Sequence, residues 1–453
     1  MFKYLNISIS RARPEGQAVL TTVIFLLFVS VAMLFGFSTI ALSERRSSRG
    51  EENSLRAYML AEAGVEDVSY RIIKGKQYAS PESLTLDGTT AATTIATVGS
   101  DREVVSQGNV SSRLRSVKTV LTTSSGVSFK YGTQIGDGGL VMENNSQING
   151  SVYSNGHIVG NNTPRITGDA FAAANSTISG MIIDANARAN RLEDNTVGGS
   201  ATSSTVIYKG SVGVHGYADT FSGGTISGNA YYKTSVSATT TVNGARIQIA
   251  EAPANLPKLD MPISEQILDD WEREASLLGT TTPASCPYKP DDDENPTIQG
   301  VVTCDVTIEG TNVITLTGVL HVKGTLIMQN SAQLKLAPSF GNFSGVVIAD
   351  NPANRAASSK VKIQNSAQIL GSGQPSSYIM VVSRNNSAET GGGEDAIDIG
   401  NSSTAAIYYA PRGLISIQNN VNLKEATSWK MHLQNSAAVT YESGLADVQF
   451  SSG

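Results

Sequence analysis

Residues Ala18 to Leu42 form an apolar run without a charge, and a polar helical pattern follows it without a break. About 25 residues of helix exceed the roughly 20 needed to cross a hydrocarbon core of about 30 Å, so the pattern predicts one long helix over 17–75 whose first part, 18–42, spans a membrane. Beyond the span, Leu55, Met59, Ala63 and Val65, then Ile72 and Ile73, are expected on its dry side, with Glu51, Arg56, Glu62, Glu66 and Asp67 facing water. From about residue 76 the helical period gives way to Val and Ile alternating with small polar residues, the pattern of strands.

Within that strand-rich region short motifs recur. One series reads Ile148-Asn149-Gly150, Ile166-Thr167-Gly168, Ile178-Ser179-Gly180 and Ile226-Ser227-Gly228, with a related copy from Ile207. A second places asparagines at 330, 351, 365, 385, 401, 419 and 435, spaced 14 to 21 residues apart. That spacing is one coil of a β-solenoid: a single coil cannot bury its alternate apolar residues, so coils stack roughly 4.8 Å apart and share a core. Asparagine tolerates the left-handed corner, and its amide can bond up and down the stack. The register predicts Asn365, Asn385, Asn401, Asn419 and Asn435 along one edge, above stacked Ile363, Ile399, Ile417 and Leu433. An antiparallel sandwich with Asn-rich turns is the competing reading.

The two series are separated by Pro253, Pro257 and Pro262, which stiffen an extended segment, and by a helix that Ser264 caps and that runs to about Leu278. Ile267, Trp271, Ala275 and Leu278 share one face and are expected to pack on the solenoid side. The expected fold is therefore mainly β: a long N-terminal helix, then a β-solenoid body in two parts, 131–250 and 301–453, around a helical insertion at 251–300.

The N-terminus carries a more specific signal. Lys3, Arg11 and Arg13 lie in a short leader that ends in Gly16, directly before Gln17 and the apolar run, whereas the far end of the run reads Ser43-Glu44-Arg45-Arg46-Ser47 and offers no signal-peptidase site. This resembles the class III leader of type IV pilins and pseudopilins, which a prepilin peptidase cuts after the glycine. The stretch Ser54-Leu55-Arg56-Ala57-Tyr58-Met59-Leu60-Ala61-Glu62-Ala63-Gly64-Val65-Glu66-Asp67 resembles the corresponding helix of PilX-type minor pilins and GspK-type pseudopilins, and Val104-Gly108 with Arg115-Leu121 resembles the strand pair that follows. The resemblance covers about the first 125 residues. It implies a leader over 1–16 cut between Gly16 and Gln17, a pilin-like helix over 17–75 and a pilin-like strand region over 76–130. It also implies partners among other pilins, the filament assembly machinery and the peptidase. Counted from Gln17, the fifth residue is Thr21, where most pilins carry glutamate; GspK-type tip proteins lack it too, which points to a tip or initiating position. Arg45, Arg46, Arg49 and Arg56 follow the span, so the positive-inside rule does not set the topology. The leader does, placing the N-terminus in the cytoplasm and the C-terminal body at the pilus or cell surface.

Composition narrows the remaining chemistry. Charged residues are 16% and the net charge is −6, with no basic patch beyond the N-terminal helix, which excludes nucleic acid as a natural partner. Cys286 and Cys304 are the only cysteines. In an exported chain they are expected to form a disulfide around the acidic run Asp291 to Glu294, since two thiolates without a nearby histidine make no ordinary zinc site. That acidic run is read as a solvated loop, lacking the spacing of an EF-hand.

His157, His215, His321 and His432 are scattered and are read as solvated. The triplets around Asp398, Ser416 and His432 would stack these three in an outward column, but with serine in the middle the order is wrong for a triad. Glu394, Asp395 and Asp398 with Arg384 and Arg412 imitate a calcium-assisted polysaccharide lyase, although Gly391-Gly392-Gly393 makes the segment look like a loop. No catalytic residue, metal or cofactor is assigned. The expected function is a minor pilin whose solenoid adheres to glycans or another surface. The rivals are a tethered polysaccharide-cleaving enzyme and a purely structural assembly factor.

Overall fold

The computed structural model describes residues 15–73, 76–98, 101–122, 131–290, 296–375, 377–400, 407–441 and 450. The chain divides into two compact units, Met1–Ser69 with Ala79–Leu121, and Tyr70–Tyr78 with Thr122–Gly453.

In the first unit α1 (Glu15–Ile73) is one uninterrupted helix. Strands β1 (Glu82–Leu86), β2 (Thr89–Val98), β3 (Asp101–Val110) and β4 (Arg113–Thr122) form a sheet in sequence order, antiparallel between β1 and β2 and between β2 and β3. The helix buries Ala57, Leu60, Ala61, Val65 and Val68, spaced three and four apart as one helical face requires. Leu55 and Met59, expected on the dry side, are 55% and 57% exposed. The reason is closeness: this face is built from small residues so that backbones can meet. A side chain at Gly64 would run into the Ser106 and Thr93 hydroxyls, and one at Gly108 into the Ala57 carbonyl. Bulk at 55 and 59 therefore points elsewhere.

The membrane span expected at 18–42 is corrected. Among the described residues no helix is long and apolar enough to cross a membrane.

The second unit is a β-solenoid with parallel stacking throughout, not an antiparallel sandwich. A coil visits three faces. Strand β5 (Thr133–Glu143) supplies two of them, pairing with Val152–Ser154 through its first half and with Ile158–Asn161 through its second, while Gln147–Asn149 pairs with Arg165–Ile166 on the third. Inward positions stack apolar residues from coil to coil: Ile148, Ile166, Ile183, Val197, Val212 and Ile226 form one such stack. Ile178 and Ile207 lie on a different face, in line with Ile158, Leu192 and Phe221, although their motif resembles that of Ile148.

The two series that look separate in sequence are one continuous stack, joined in an order the chain does not follow. The coil carrying Glu425–Gln434 pairs in parallel with β5, aligning Leu433 with Met142. The C-terminal coils thus precede the N-terminal ones along the axis, and the first solenoid coil of the chain lies in the middle. Residues 249–279 must then travel back along the side. They do so coil by coil: Arg188 donates to the Ala254 carbonyl (2.9 Å), Tyr153 to that of Pro257, Asn155 to that of Leu259 (2.8 Å) and Gln134 to that of Asp260 (2.7 Å). Prolines suit such a strap because they favour extended backbone and bring no N–H to satisfy.

The strap ends in α2 (Glu265–Leu277), capped by Ser264, which accepts from the Ile267 amide. Leu268, Trp271 and Ala275 are buried with Ile263 against outward-facing Val301, Val319, Val346, Ile348, Met380 and Val382. Trp271 and Ala275 pack as expected; Leu278 is the C-cap and stays partly exposed, and Leu268 takes the core position in its place.

The predicted core register holds. Ile363, Ile399, Ile417 and Leu433 are all fully buried and aligned in sequence. Along the edge the asparagine ladder crosses the join: Asn435 donates to Asn419 (3.2 Å), Asn144 to Asn435 (3.0 Å) and Asn162 to Asn144 (2.9 Å). These corners are left-handed, with φ of 60° at Asn419, 53° at Asn435, 54° at Asn144 and 57° at Asn162. Asn365 and Asn330 make an equivalent pair at 3.2 Å. Asn385 does not belong: it is buried and bonds the Ala356 and Ser358 carbonyls. Asn401 lies outside the described residues.

Candidate functional site

The column of Asp398, Ser416 and His432 exists, aligned residue by residue on three coils. Its ends are about 10 Å apart by strand spacing, and each has other partners. Gln364 and Gln418 donate to Asp398 at 2.9 and 3.2 Å, while His432 lies 3.3 Å from Glu143 and 2.8 Å from the Gln434 amide. Among the described residues no hydrogen bond joins Ser416 to His432. Chemically this is a polar ladder. Beside it, burial and then the nearby Asp398 carboxylate push Asp395 up to about 6.

The lyase-like group does not assemble. Glu394 pairs with Lys360 at 2.9 Å, Arg412 with Glu265 and Glu389, and Arg384 points to α2. Gly392 anchors the glycine run by donating to the Ser387 carbonyl (2.7 Å).

Arg384 instead centres the most densely charged cluster described. It is 6% exposed and holds three acids of α2: Asp269 at 2.6 Å, Glu265 at 2.7 Å and Glu272 at 2.8 Å. Glu265, Asp269 and Glu272 recur at helical spacing, which turns one face of α2 into an acidic stripe beside the apolar one. Below them fully buried Asp350 receives both arms of Arg355, at 2.8 and 2.7 Å. His321, expected to be solvated, is corrected: it is 4% exposed, with Nε2 3.1 Å from the Asp350 carbonyl, and burial lowers its pKa. Burial likewise raises Glu272, against the pull of Arg384. His157 and His215 accept from the Thr177 and Asn229 amides on adjacent coils.

One ligand atom each from Glu272, His321 and Asp350 falls within 4.8 Å of the others. The donor set nevertheless fits guanidinium better than a metal ion, because Asp350 already receives both arms of Arg355 and Glu272 is bonded to Arg384. What the arrangement does is fasten α2 to the solenoid.

Cys286 and Cys304 are joined by a disulfide, with Cα atoms 6.1 Å apart. The acidic run Asp291 to Glu294 lies outside the described residues, as do residues 1–14 of the leader expected from the sequence; Gly16 and Gln17 fall in the first turn of α1.

No family model matches the chain, and no curated protein matches it. Among solved structures, the competence-associated pilin ComZ from Thermus thermophilus aligns over 88% of this chain and 93% of that one, at 9% identity and a TM-score of 0.23, a likeness too slight to carry argument.

Proposed function

We propose that this chain is a pilin-like subunit of a type IV filament system, of the PilX or GspK kind, that displays its β-solenoid at a cell or filament surface for adhesion. The observation that carries the reading is the first unit. The stretch resembling minor pilins, 54–67, is where α1 packs small residues against a sheet whose strands follow in sequence order, with Gly64 and Gly108 at the points of closest approach. Thr21 in place of glutamate supports a tip or initiating position over a repeated shaft subunit. The polar ladders and the disulfide suit an extracytoplasmic body.

The test is processing and localisation in a host with an active prepilin peptidase. Mass spectrometry should find Gln17 at the mature N-terminus, Gly16→Leu should block the cut, and antibody against the solenoid should label filaments or the cell surface. Retained Met1 in the wild-type protein, or solenoid confined to the cytoplasm, refutes the proposal.

A further inference from the structure

The join in the solenoid is closed by coils that lie far apart in the chain. Ala426 to Ser428 pair with Thr133 to Ile135, Lys430 to Leu433 with Gly139 to Met142, and Ala438 to Thr440 with Gln147 to Asn149. All three faces of the coil therefore cross it.

The interior beside the join holds hydroxyls that the coils leave unbonded. Thr133 lies opposite Ala426, and Ser146 precedes Gln147, whose amide crosses the join to the Ala437 carbonyl (2.9 Å). Both side chains are fully buried and have no hydrogen-bond partner among the described residues, and the same holds for Tyr408 one coil further on. A buried hydroxyl without a bond has given up water for nothing. Parting the join returns that water to Thr133 and Ser146.

The covalent link across the join is short. Up to Asp260 the strap is tied to β5, through Gln134 and through Lys258, which pairs with Asp137 at 2.8 Å. From Ile263 it belongs to the other part, where the Tyr409 hydroxyl donates to the Ile263 carbonyl (2.6 Å). Met261 and Pro262 alone lie between these anchors. Hinges this short invite exchange between copies, because they leave an opened chain little freedom to close on itself, whereas a second copy restores the same contacts.

We infer that the join is an interface for a second copy of this chain: the two parts of the solenoid separate at Met261–Pro262, and the Glu425–Gln434 coil of one copy stacks on β5 of another. The exchanged join repeats the pairs Leu433 with Met142 and Met431 with Leu140, so it requires no complementarity that the single chain lacks. What it gives up is the intramolecular tether, an effective concentration on the order of mM, so single chains prevail in dilute solution and exchange prevails where copies crowd. This goes beyond the surface-display reading and does not depend on it.

The experiment uses the full chain. Wild-type protein refolded from urea at about 500 µM, close to the effective concentration of the tether, should contain dimer by light scattering, and at about 5 µM it should not. Residue 432 of one coil faces residue 141 of the next at a parallel spacing of about 4.8 Å, within reach of a disulfide. His432→Cys in one chain and Val141→Cys in another, refolded together at about pH 5, where protonated thiols do not attack the native disulfide, and then oxidised, should give mixed linkages at about tenfold the yield of like ones. A chain carrying both substitutions, locked by oxidation as a monomer, should stay monomeric at the higher concentration. Thr133→Val should slow exchange between preformed monomers about tenfold, since the parted join then exposes a methyl group in place of a hydrated hydroxyl. The inference is overturned if wild-type protein is monomeric at both concentrations, if mixed linkages are no commoner than like ones in variants with unaltered melting curves, if the locked chain associates as readily as its reduced form, or if Thr133→Val leaves the exchange rate unchanged.

Discussion

The join between the Glu425–Gln434 coil and β5 can be tested by coupling two residues far apart in sequence. Leu433 and Met142 are both fully buried and aligned across the join, with Ile417 stacked on the other side of Leu433. Truncating either to alanine removes buried apolar surface and leaves a cavity, at a cost of about 2 to 5 kcal/mol each. Because each forms part of the other's wall, the second truncation enlarges a cavity that already exists. The double variant should therefore lose about 1 kcal/mol less than the sum of the singles, within the range seen for contacting residues. Urea titrations of the full chain followed by circular dichroism supply the cycle, with Ser416→Ala as an outward control expected to cost less than about 0.5 kcal/mol. Additivity of Leu433→Ala and Met142→Ala to within about 0.5 kcal/mol would show that the two coils do not touch and would break the continuous stack. A Leu433→Ala cost no larger than that of Ser416→Ala would defeat the inward register itself.

Arg384→Met should destabilise the second unit by about 3 kcal/mol, because it strands the α2 acids against Asp350, and hydrogen exchange should speed up across Glu265–Leu277; unchanged protection there would show that α2 does not depend on the clamp. Asn435→Ala should cost about 1 to 2 kcal/mol through its left-handed backbone and two ladder bonds, whereas Asn435→Gly, free of the backbone penalty, should cost less; the reverse order in thermal melts would refute the corner argument. Glu425 is fully buried, and burial raises its carboxyl well above the ordinary range. The folded state then holds that proton more tightly than the unfolded one, so the stability it confers is complete below about pH 4.3 and is lost as pH rises towards the folded value. Glu425→Gln should flatten the fall of melting temperature between about pH 4 and 8, leaving the share due to Glu272 and Asp395, and an unchanged slope would contradict the assignment.

Some of this protein is decided by local pattern and was legible without coordinates. Alternation puts Ile363, Ile399, Ile417 and Leu433 inward, asparagine at the corners follows from its tolerance of left-handed backbone, and Ser264 with Trp271 and Ala275 marks α2. Each depends on a residue's own preferences and its near neighbours. The disulfide was legible too, since only two cysteines exist to pair. Other features arise between segments and leave no periodic trace. Nothing local shows that the coil holding Leu433 stacks on the one holding Met142, because strand pairing is a property of two edges and any apolar coil of similar width offers a compatible one. The strap and the clamp follow from that reversal: once the chain must return along the side, an acidic stripe on α2 meets Arg384, and His321 is buried beneath it. The helical spacing of Glu265, Asp269 and Glu272 carries no sign of its partner, since Arg384 lies more than a hundred residues away. Leu55 and Met59 turn outward for a related reason: hydrophobicity marks what a helix can bury, whereas the approach of the sheet through Gly64 and Gly108 determines which side of it does.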